Sequence, residues 1–367
     1  MSSRIESARW RPFRLPMRRR FDAASGAIED CEGVLLELRD GDGMSGVGEA
    51  SPLASIGGGT QADVMRLLDR YGSNLAGRSG MATMDLLPAT GAGVAALRCA
   101  VDTALLDLEG RAAGQPVAAL LDETPGDSVL VNAVIGEGSA DEVVAFASEA
   151  LEAGYSVLKL KAGTGTLEHD TSLVGAVRDA CPDAVLRLDA NGAWDEETAA
   201  QALSLLTSHR VELLEQPVAA GDVEALSRLR ELSPFRLAAD EALSNGDRVA
   251  RVIELRAADL LVLKPMVLGG VRPALALSRR AALAGIGSFV TTTFDSSIGT
   301  AAALHLAAAL PWDAAHGLGT GDHLVGDVVA EPLWPVDGGM TPSGPGLGVE
   351  VDDAALEALA TGPWVQA

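Results

Sequence analysis

Residues 156–192 read SVLKLKAGTGTLEHDTSLVGAVRDACPDAVLRLDANG. An apolar run of strand length, VLKLK, is followed by a turn, a segment of helix length and a second apolar run, VLRLD. Two strands joined by a helical crossover lie parallel, because a crossover of that length returns the chain to the same end of the sheet. The same rhythm extends in both directions. VLVNAVIG (129–136) precedes the unit; VELLEQPV (211–218), RLAADEAL (236–243), LLVLKPM (260–266), SFVTTTF (288–294) and AHGLG (315–319) follow it, making eight strand candidates. Amphipathic segments such as ADEVVAFASEALEAG (140–154) and RPALALSRRAALAG (272–285) separate them. Near-continuous apolar strands covered by such helices signify a parallel sheet buried on both faces, and eight of them favour a closed barrel. An open doubly wound sheet is the competing architecture, but no GxGxxG or phosphate-binding loop follows the first strand.

The ends of these runs carry charge. Lys161, Asp189, Glu215, Asp240 and Lys264 each close one run, at steps of 28, 26, 25 and 24 residues, so consecutive strand–helix units deliver one group each to the same rim. Strand side chains alternate faces, so Lys159 accompanies Lys161, and Arg187 and Asn191 accompany Asp189. Three carboxylates in one pocket are strongly unfavourable unless neutralised. Asp189, Glu215 and Asp240 form an all-oxygen set that suits Mg2+, with Mn2+ as a substitute, and does not suit zinc. Taken singly, each acid could instead cap a helix or pair with a lysine. Lysines beside a bound cation have their ammonium form disfavoured, which moves them toward general-base work. The combination defines a reaction class: removal of a proton next to a carboxylate, with a cation stabilising the enediolate charge. Lys159 reads as a salt-bridged lysine holding a ligand carboxylate.

Before the barrel, WRPFRL (10–15), GVLLELRD (33–40) and GVGEASP (46–52) read as an antiparallel meander, followed by helices near Thr60–Leu75 and Gly91–Ala112. The division expected is an α+β capping domain over 1–125, the barrel over 126–322, and a Gly/Pro-rich tail over 323–367 that returns to cover the first unit. With 367 residues and 48% hydrophobic content, the chain can support a large core plus an appended domain. A net charge of −23 argues against a nucleic-acid surface, and no run is long enough for a membrane span. The arginines of MSSRIESARWRPFRLPMRRR lack an apolar h-region, so a cytoplasmic protein without a cleaved leader is expected. Arg18, Arg19 and Arg20 precede FDAASGA and read as an exposed turn or as a loop guiding an anionic substrate. Cys31, Cys99 and Cys181 are odd in number and scattered, as buried thiols are in a reducing compartment. His305 and His316 read as packed structural residues.

The ordered set KLK, DAN, EQP, ADE and LKP, with the tail PSGPGLGVEVD, resembles the enolase superfamily and within it the muconate-lactonising subgroup. The resemblance spans essentially the whole chain. It implies a modified TIM-type (β/α)7β barrel with a capping domain from both chain ends, magnesium on Asp189, Glu215 and Asp240, and Lys161 as the proton-transferring base. It further implies Lys264 opposite Lys161, Lys159 positioning Lys161, and Asn191 supporting the metal site. WRPFRLPM, LRLDANGAW, SSIG (296–299) and GLGTGD (317–322) are most similar to the o-succinylbenzoate synthases of menaquinone biosynthesis, lyases acting on a small dicarboxylate. N-succinylamino acid racemases use the same opposed lysines and form the alternative; a dipeptide epimerase is disfavoured because GLGTGD lacks an Asp-x-Asp pair. The second substrate carboxylate is expected at Ser296, Ser297 and Gly299, where a helix begins. GEASPLASIGGG (48–59) is expected to form a lid. Asp295 stands where relatives often carry glutamate.

Overall fold

The structure, a computed structural model, describes residues 4–23, 26–136, 138–311 and 314–367. The capping unit begins with a long antiparallel hairpin, β1 (Ile5–Ala23) and β2 (Gly26–Asp40), on which β3 (Ser45–Ala50) pairs through Val34↔Ala50 to Arg39↔Ser45. Helices α1 (Gln61–Tyr71), α2 (Met81–Met84), α3 (Val94–Ala113) and α4 (Val117–Leu121) follow. Thr60 starts α1 in a capping box with Asp63, which satisfies the first free amides. Gly46 and Gly48 allow β3 to lie directly on α3: a Cβ at either would stand 2.2 Å or 2.0 Å from the carbonyls of Ala104 and Ala100. Trp10, Leu36, Leu68, Leu97 and Leu105 fill the core between sheet and helices. Arg18 is exposed within β1, and the side chains of Arg19 and Arg20 lie outside the described residues.

The expected first barrel strand divides in two. β4 (Val129–Leu130) turns away to pair with the tail, and β5 (Ala133–Ile135) enters the barrel. The repeating units are then α5 (Ala140–Glu152), β6 (Val157–Lys161), α6 (Leu167–Ala180), β7 (Val185–Asp189), α7 (Glu196–Leu206), β8 (Val211–Glu215), α8 (Val223–Leu232), β9 (Arg236–Ala239), α9 (Gly246–Leu255) and β10 (Leu260–Leu263). After β10 come α10 (Pro265–Leu268), α11 (Val271–Leu283), β11 (Gly287–Val290) and α12 (Ser297–Ala308). Seven parallel strands run in order from β5 to β11. The eighth candidate, AHGLG, is reduced to two bridging residues: His316 joins Val131 and Gly317 joins Thr291. Four backbone hydrogen bonds, between 2.8 and 3.1 Å, close the seam there.

Inward residues of the lower barrel, Leu213, Ala238, Leu260, Val262 and Phe289, form a compact apolar layer. Arg187 is buried with them rather than at the rim: its guanidinium lies 5.3 Å over Phe289, Nε donates to Glu212 (2.6 Å) and Nη1 to the Ala315 carbonyl (2.6 Å). Its expected support of the site is therefore indirect, because it sits two residues below Asp189 on the inward face. Helix α12 is buried at every one of its positions, with β11 and α11 on the barrel side and β3 and α4 on the cap side.

The tail contacts both units. β12 (Gly339–Met340) pairs with β4, α13 (Asp353–Leu359) packs on β1, and β13 (Val365–Gln366) adds to the edge of β1 through Trp10↔Val365. His305 on α12 accepts from the Ala118 amide (3.1 Å) and meets the Leu347 carbonyl (3.2 Å), tying barrel, cap and tail together. The three cysteines are free and buried. Among the described residues no helix is long and apolar enough to cross a membrane.

Candidate active site

Each charged residue takes its place because a buried strand ends beside it. The ladder pairs Lys161 with Asp189 and Asp189 with Glu215, placing three charges side by side across β6, β7 and β8. Asp240 follows β9 and Lys264 follows β10. All five, with Lys159, Asn191 and Glu241, line one pocket at the C-terminal mouth of the barrel. Asp189, Glu215 and Asp240 are 1%, 1% and 5% exposed.

Lys159 Nζ contacts both oxygens of Glu215 (2.8 Å each) and Asp189 Oδ2 (3.0 Å). Lys161 Nζ donates to Asp189 Oδ2 and Asn191 Oδ1, each at 2.8 Å. Lys264 pairs with Asp240. Asn191 donates its Nδ2 to Glu241 (2.9 Å), and its amide donates to Asp189 Oδ1 (3.0 Å). Asn191 adopts a left-handed φ of 46°, a conformation asparagine tolerates better than most residues, and this turns its amide back onto Asp189. Gln216 accepts from the amides of Asp240 (2.9 Å) and Ala242 (3.3 Å), fixing the loop that carries the third acid.

Charge balance governs these groups. Burial opposes ionisation of Lys159, yet Asp189, Glu215 and Asp240 outweigh it and hold its ammonium above the usual lysine range. Lys264 is likewise raised against burial, by Asp240, Glu241 and Glu215. With no cation beside them, the surrounding carboxylates dominate the proton affinity of both Lys159 and Lys264. Burial and the charge of Asp189 push Glu215 up to about 7, whereas Lys159 and Lys161 overcome burial to hold Asp189 well below the usual range.

Among the described residues no group of three His, Cys, Asp or Glu side chains forms a ready-made ligand cage, because the carboxylates are turned onto ammonium groups. The donor set nevertheless fits a hard divalent cation: three buried carboxylates stand on neighbouring strand ends, and Glu241 Oε2 lacks a hydrogen-bond partner beside them.

Ser296, Ser297 and Gly299 are not brought to the pocket. Ser296 donates its amide (3.1 Å) and hydroxyl (2.5 Å) to Glu49, and the Gly299 amide also donates to Glu49 (2.9 Å). Ser297 donates its hydroxyl to Asp327 (2.7 Å) and accepts from the Leu333 amide (2.8 Å). The anion expected at the start of α12 is thus an internal one, delivered by β3. Asp295 accepts from Thr293 (2.7 Å); burial and Glu49 push it up to about 7. The remaining lining was not singled out by sequence: Leu53 and Ile56 come from the segment after β3, Asn132 and Val134 from the β4–β5 stretch, Thr291 and Phe294 from the end of β11, and His323 from beyond the seam. Only Leu53 and Ile56 had a signal, through the expected lid.

Residues 142–355 match the enolase C-terminal domain-like family, and residues 8–122 match the N-terminal domain of the mandelate racemase / muconate lactonizing enzyme family. The chain is 33% identical over 364 residues to a chloromuconate cycloisomerase, CbnB, of Cupriavidus necator, covering 92% of this chain and 94% of that protein. Its structure is similar to that of N-succinyl Arg/Lys racemase from Bacillus cereus, with a TM-score of 0.92, 26% identity and full coverage of both chains. It is also similar to a dipeptide epimerase from Enterococcus faecalis complexed with Mg and the dipeptide L-Leu-L-Tyr, with a TM-score of 0.88, 28% identity, and 95% and 99% of the two chains covered. This barrel, with its rim of acids and lysines and its split cap, is a member of the enolase superfamily. Within the superfamily the chain belongs to the muconate-lactonising subgroup. Cycloisomerase, racemase and epimerase activities all occur among these relatives, so membership fixes a family of enzymes and leaves the individual reaction to be argued.

Proposed function

We propose that this protein is an o-succinylbenzoate synthase, dehydrating 2-succinyl-6-hydroxy-2,4-cyclohexadiene-1-carboxylate. The observation that carries the reading is the pair Lys161 and Lys264, on strand ends separated by β7, β8 and β9, with three buried carboxylates along that arc. Asp189, Glu215 and Asp240 would hold Mg2+, which when bound supplies positive charge to the substrate carboxylate as its α-proton leaves. Lys161, positioned by Asp189 and Asn191, takes the proton from C1 of the ring. The C1–H electrons form the new ring double bond as the C6–O bond breaks, and the proton on Lys161 goes to the departing hydroxide, giving water and the aromatic product. Lys264 remains cationic and stabilises the anion and the ring face by charge. Lys159 keeps Glu215 and Asp189 in place. Leu53, Ile56, Val134 and Phe294 give the pocket an apolar side suited to a carbocycle.

N-succinylamino acid racemisation is the second reading, favoured by the same opposed lysines, since one can remove an α-proton and the other return it from the opposite face. Peptide epimerisation is less well supported: the segment 317–322 contributes Gly317 and Thr320 to the lining, neither of which can balance a peptide ammonium. Purified protein with Mg2+ should form o-succinylbenzoate from the cyclohexadiene acid, followed by ultraviolet absorbance, at higher kcat/KM than it racemises an N-succinylamino acid by polarimetry. The reverse ranking, or turnover undiminished by chelator, refutes the proposal.

A further inference from the structure

With Ser296 and Ser297 committed to Glu49 and Asp327, the pocket needs another place for the oxygen-bearing arm of a substrate whose ring carboxylate lies at the acidic wall. Besides Glu241 Oε2, two groups lining it lack a hydrogen-bond partner. Asn132 is 1% exposed and its Nδ2 has no partner; Thr291 is 6% exposed and its Oγ1 has none either. A buried polar group without a partner loses its hydration and gains nothing in return, so two in one pocket wall call for a ligand that satisfies them.

The seam brings them together. The Asn132 amide donates to the His316 carbonyl (2.9 Å), and Gly317 bridges to Thr291. Thr291 follows the Leu263↔Val290 pair and is level with Lys264. A Cβ on Gly317 would lie 2.7 Å from Thr291 Cγ2 and 3.7 Å from Asn132 Oδ1, so the absence of a side chain there keeps the space between the two residues open. With Oδ1 toward the seam, the amide nitrogen is what Asn132 has left for an occupant. The free amide N–H groups of Asn132 and the hydroxyl of Thr291 can each donate to an oxygen acceptor in the pocket.

We infer that Asn132 and Thr291, on either side of Gly317, form a specificity subsite that binds a carbonyl or carboxylate oxygen of the substrate's succinyl arm. This assignment rests on the reaction proposed above. Asn132 Nδ2 donates to that oxygen, and the Thr291 hydroxyl donates a second hydrogen bond. The residues act on affinity and orientation and take no part in proton transfer.

Calorimetric titration in the presence of Mg2+ with o-succinylbenzoate and with benzoate tests it. Thr291→Val removes the hydroxyl at nearly constant shape, Thr291→Ser retains it, and Asn132→Asp replaces the donor by a carboxylate. Thr291→Val is expected to weaken o-succinylbenzoate about tenfold and Asn132→Asp more, with benzoate changed less than twofold and Thr291→Ser close to the parent. Equal binding of o-succinylbenzoate by the parent, Thr291→Val and Asn132→Asp, or parallel loss of both ligands in those two variants, overturns the subsite. Tighter binding of an ammonium-bearing dipeptide by Asn132→Asp than by the parent, with o-succinylbenzoate unaffected, also overturns it. Failure of the parent itself to bind o-succinylbenzoate overturns the proposed reaction and this subsite with it.

Discussion

Glu49 offers the sharpest test of how the cap is held against the barrel. It is 1% exposed and accepts four hydrogen bonds: from the Ser51 hydroxyl (2.5 Å), the Ser296 amide (3.1 Å) and hydroxyl (2.5 Å), and the Gly299 amide (2.9 Å). Burial raises its proton affinity, which these donors oppose, so its net worth is less than four charge-assisted bonds would indicate. Glu49→Ala strands two buried amides at the start of α12. The hydroxyls can rotate toward other acceptors, but the amides cannot, and at about 1–3 kcal/mol each the expected loss is about 2–6 kcal/mol, before any cavity cost. Glu49→Gln keeps the shape and one acceptor oxygen but turns an NH2 group toward donors, for an expected loss of about 1–3 kcal/mol. Urea unfolding followed by circular dichroism reads both. Because Ser51 begins the segment that carries Leu53 and Ile56 into the pocket, KM should also rise in Glu49→Gln while kcat changes less. A Glu49→Ala protein within 0.5 kcal/mol of the parent, with unchanged KM, would refute the assigned latch.

Lys161→Ala should abolish turnover with little change in far-ultraviolet circular dichroism; activity equal to the parent would exclude Lys161 as the base. Asp189→Asn removes one carboxylate from the strand-end set and should weaken Mg2+ binding by at least tenfold in calorimetry, and unaltered affinity would contradict the assigned ligand role. His305, held down to about 4 by burial, is neutral in the folded protein, whereas in the unfolded chain it titrates near its usual value of 6.5. The unfolded chain binds more protons between those values, so stability is lost as pH falls from about 6.5 to 4, by about 3 kcal/mol for this group. His305→Gln, which keeps an acceptor for Ala118, should flatten that segment of the urea-midpoint profile; an unchanged slope would show that His305 does not supply it.

The strand-end charges were legible because an inward-facing position on a buried strand obeys a two-residue alternation that survives in one dimension. Lys159, Lys161, Asp189, Glu215, Asp240 and Lys264 all reach one pocket for that reason. Alternation gives the face and not the depth, which is why Arg187, on the same face as Asp189, proves to be a floor residue over Phe289. Ser296 and Ser297 resemble a ligand site in sequence because a helix start attracts anions whatever their source. The anions supplied, Glu49 and Asp327, lie 247 and 30 residues away, beyond the reach of any local pattern. The eighth strand is shorter than its sequence suggests: in AHGLG only His316 and Gly317 bridge to neighbouring strands, where Gly317 passes close against Thr291. Asn132 and Thr291 carried no signal at all, since an unsatisfied amide is a property of three-dimensional surroundings.

Helix α12 has one more implication, for the ancestry of such chains. A segment hidden on all sides, built almost wholly of alanine, leucine and other small or aliphatic residues, has no face fit for water. Were the cap exchanged for an unrelated one, that helix would meet a surface it was never shaped to touch. Recombination that swaps the N-terminal third between distant lineages should therefore yield insoluble products unless the residues facing α12 travel with it, so substrate range in this lineage is expected to drift by point changes around the pocket more readily than by exchange of whole modules.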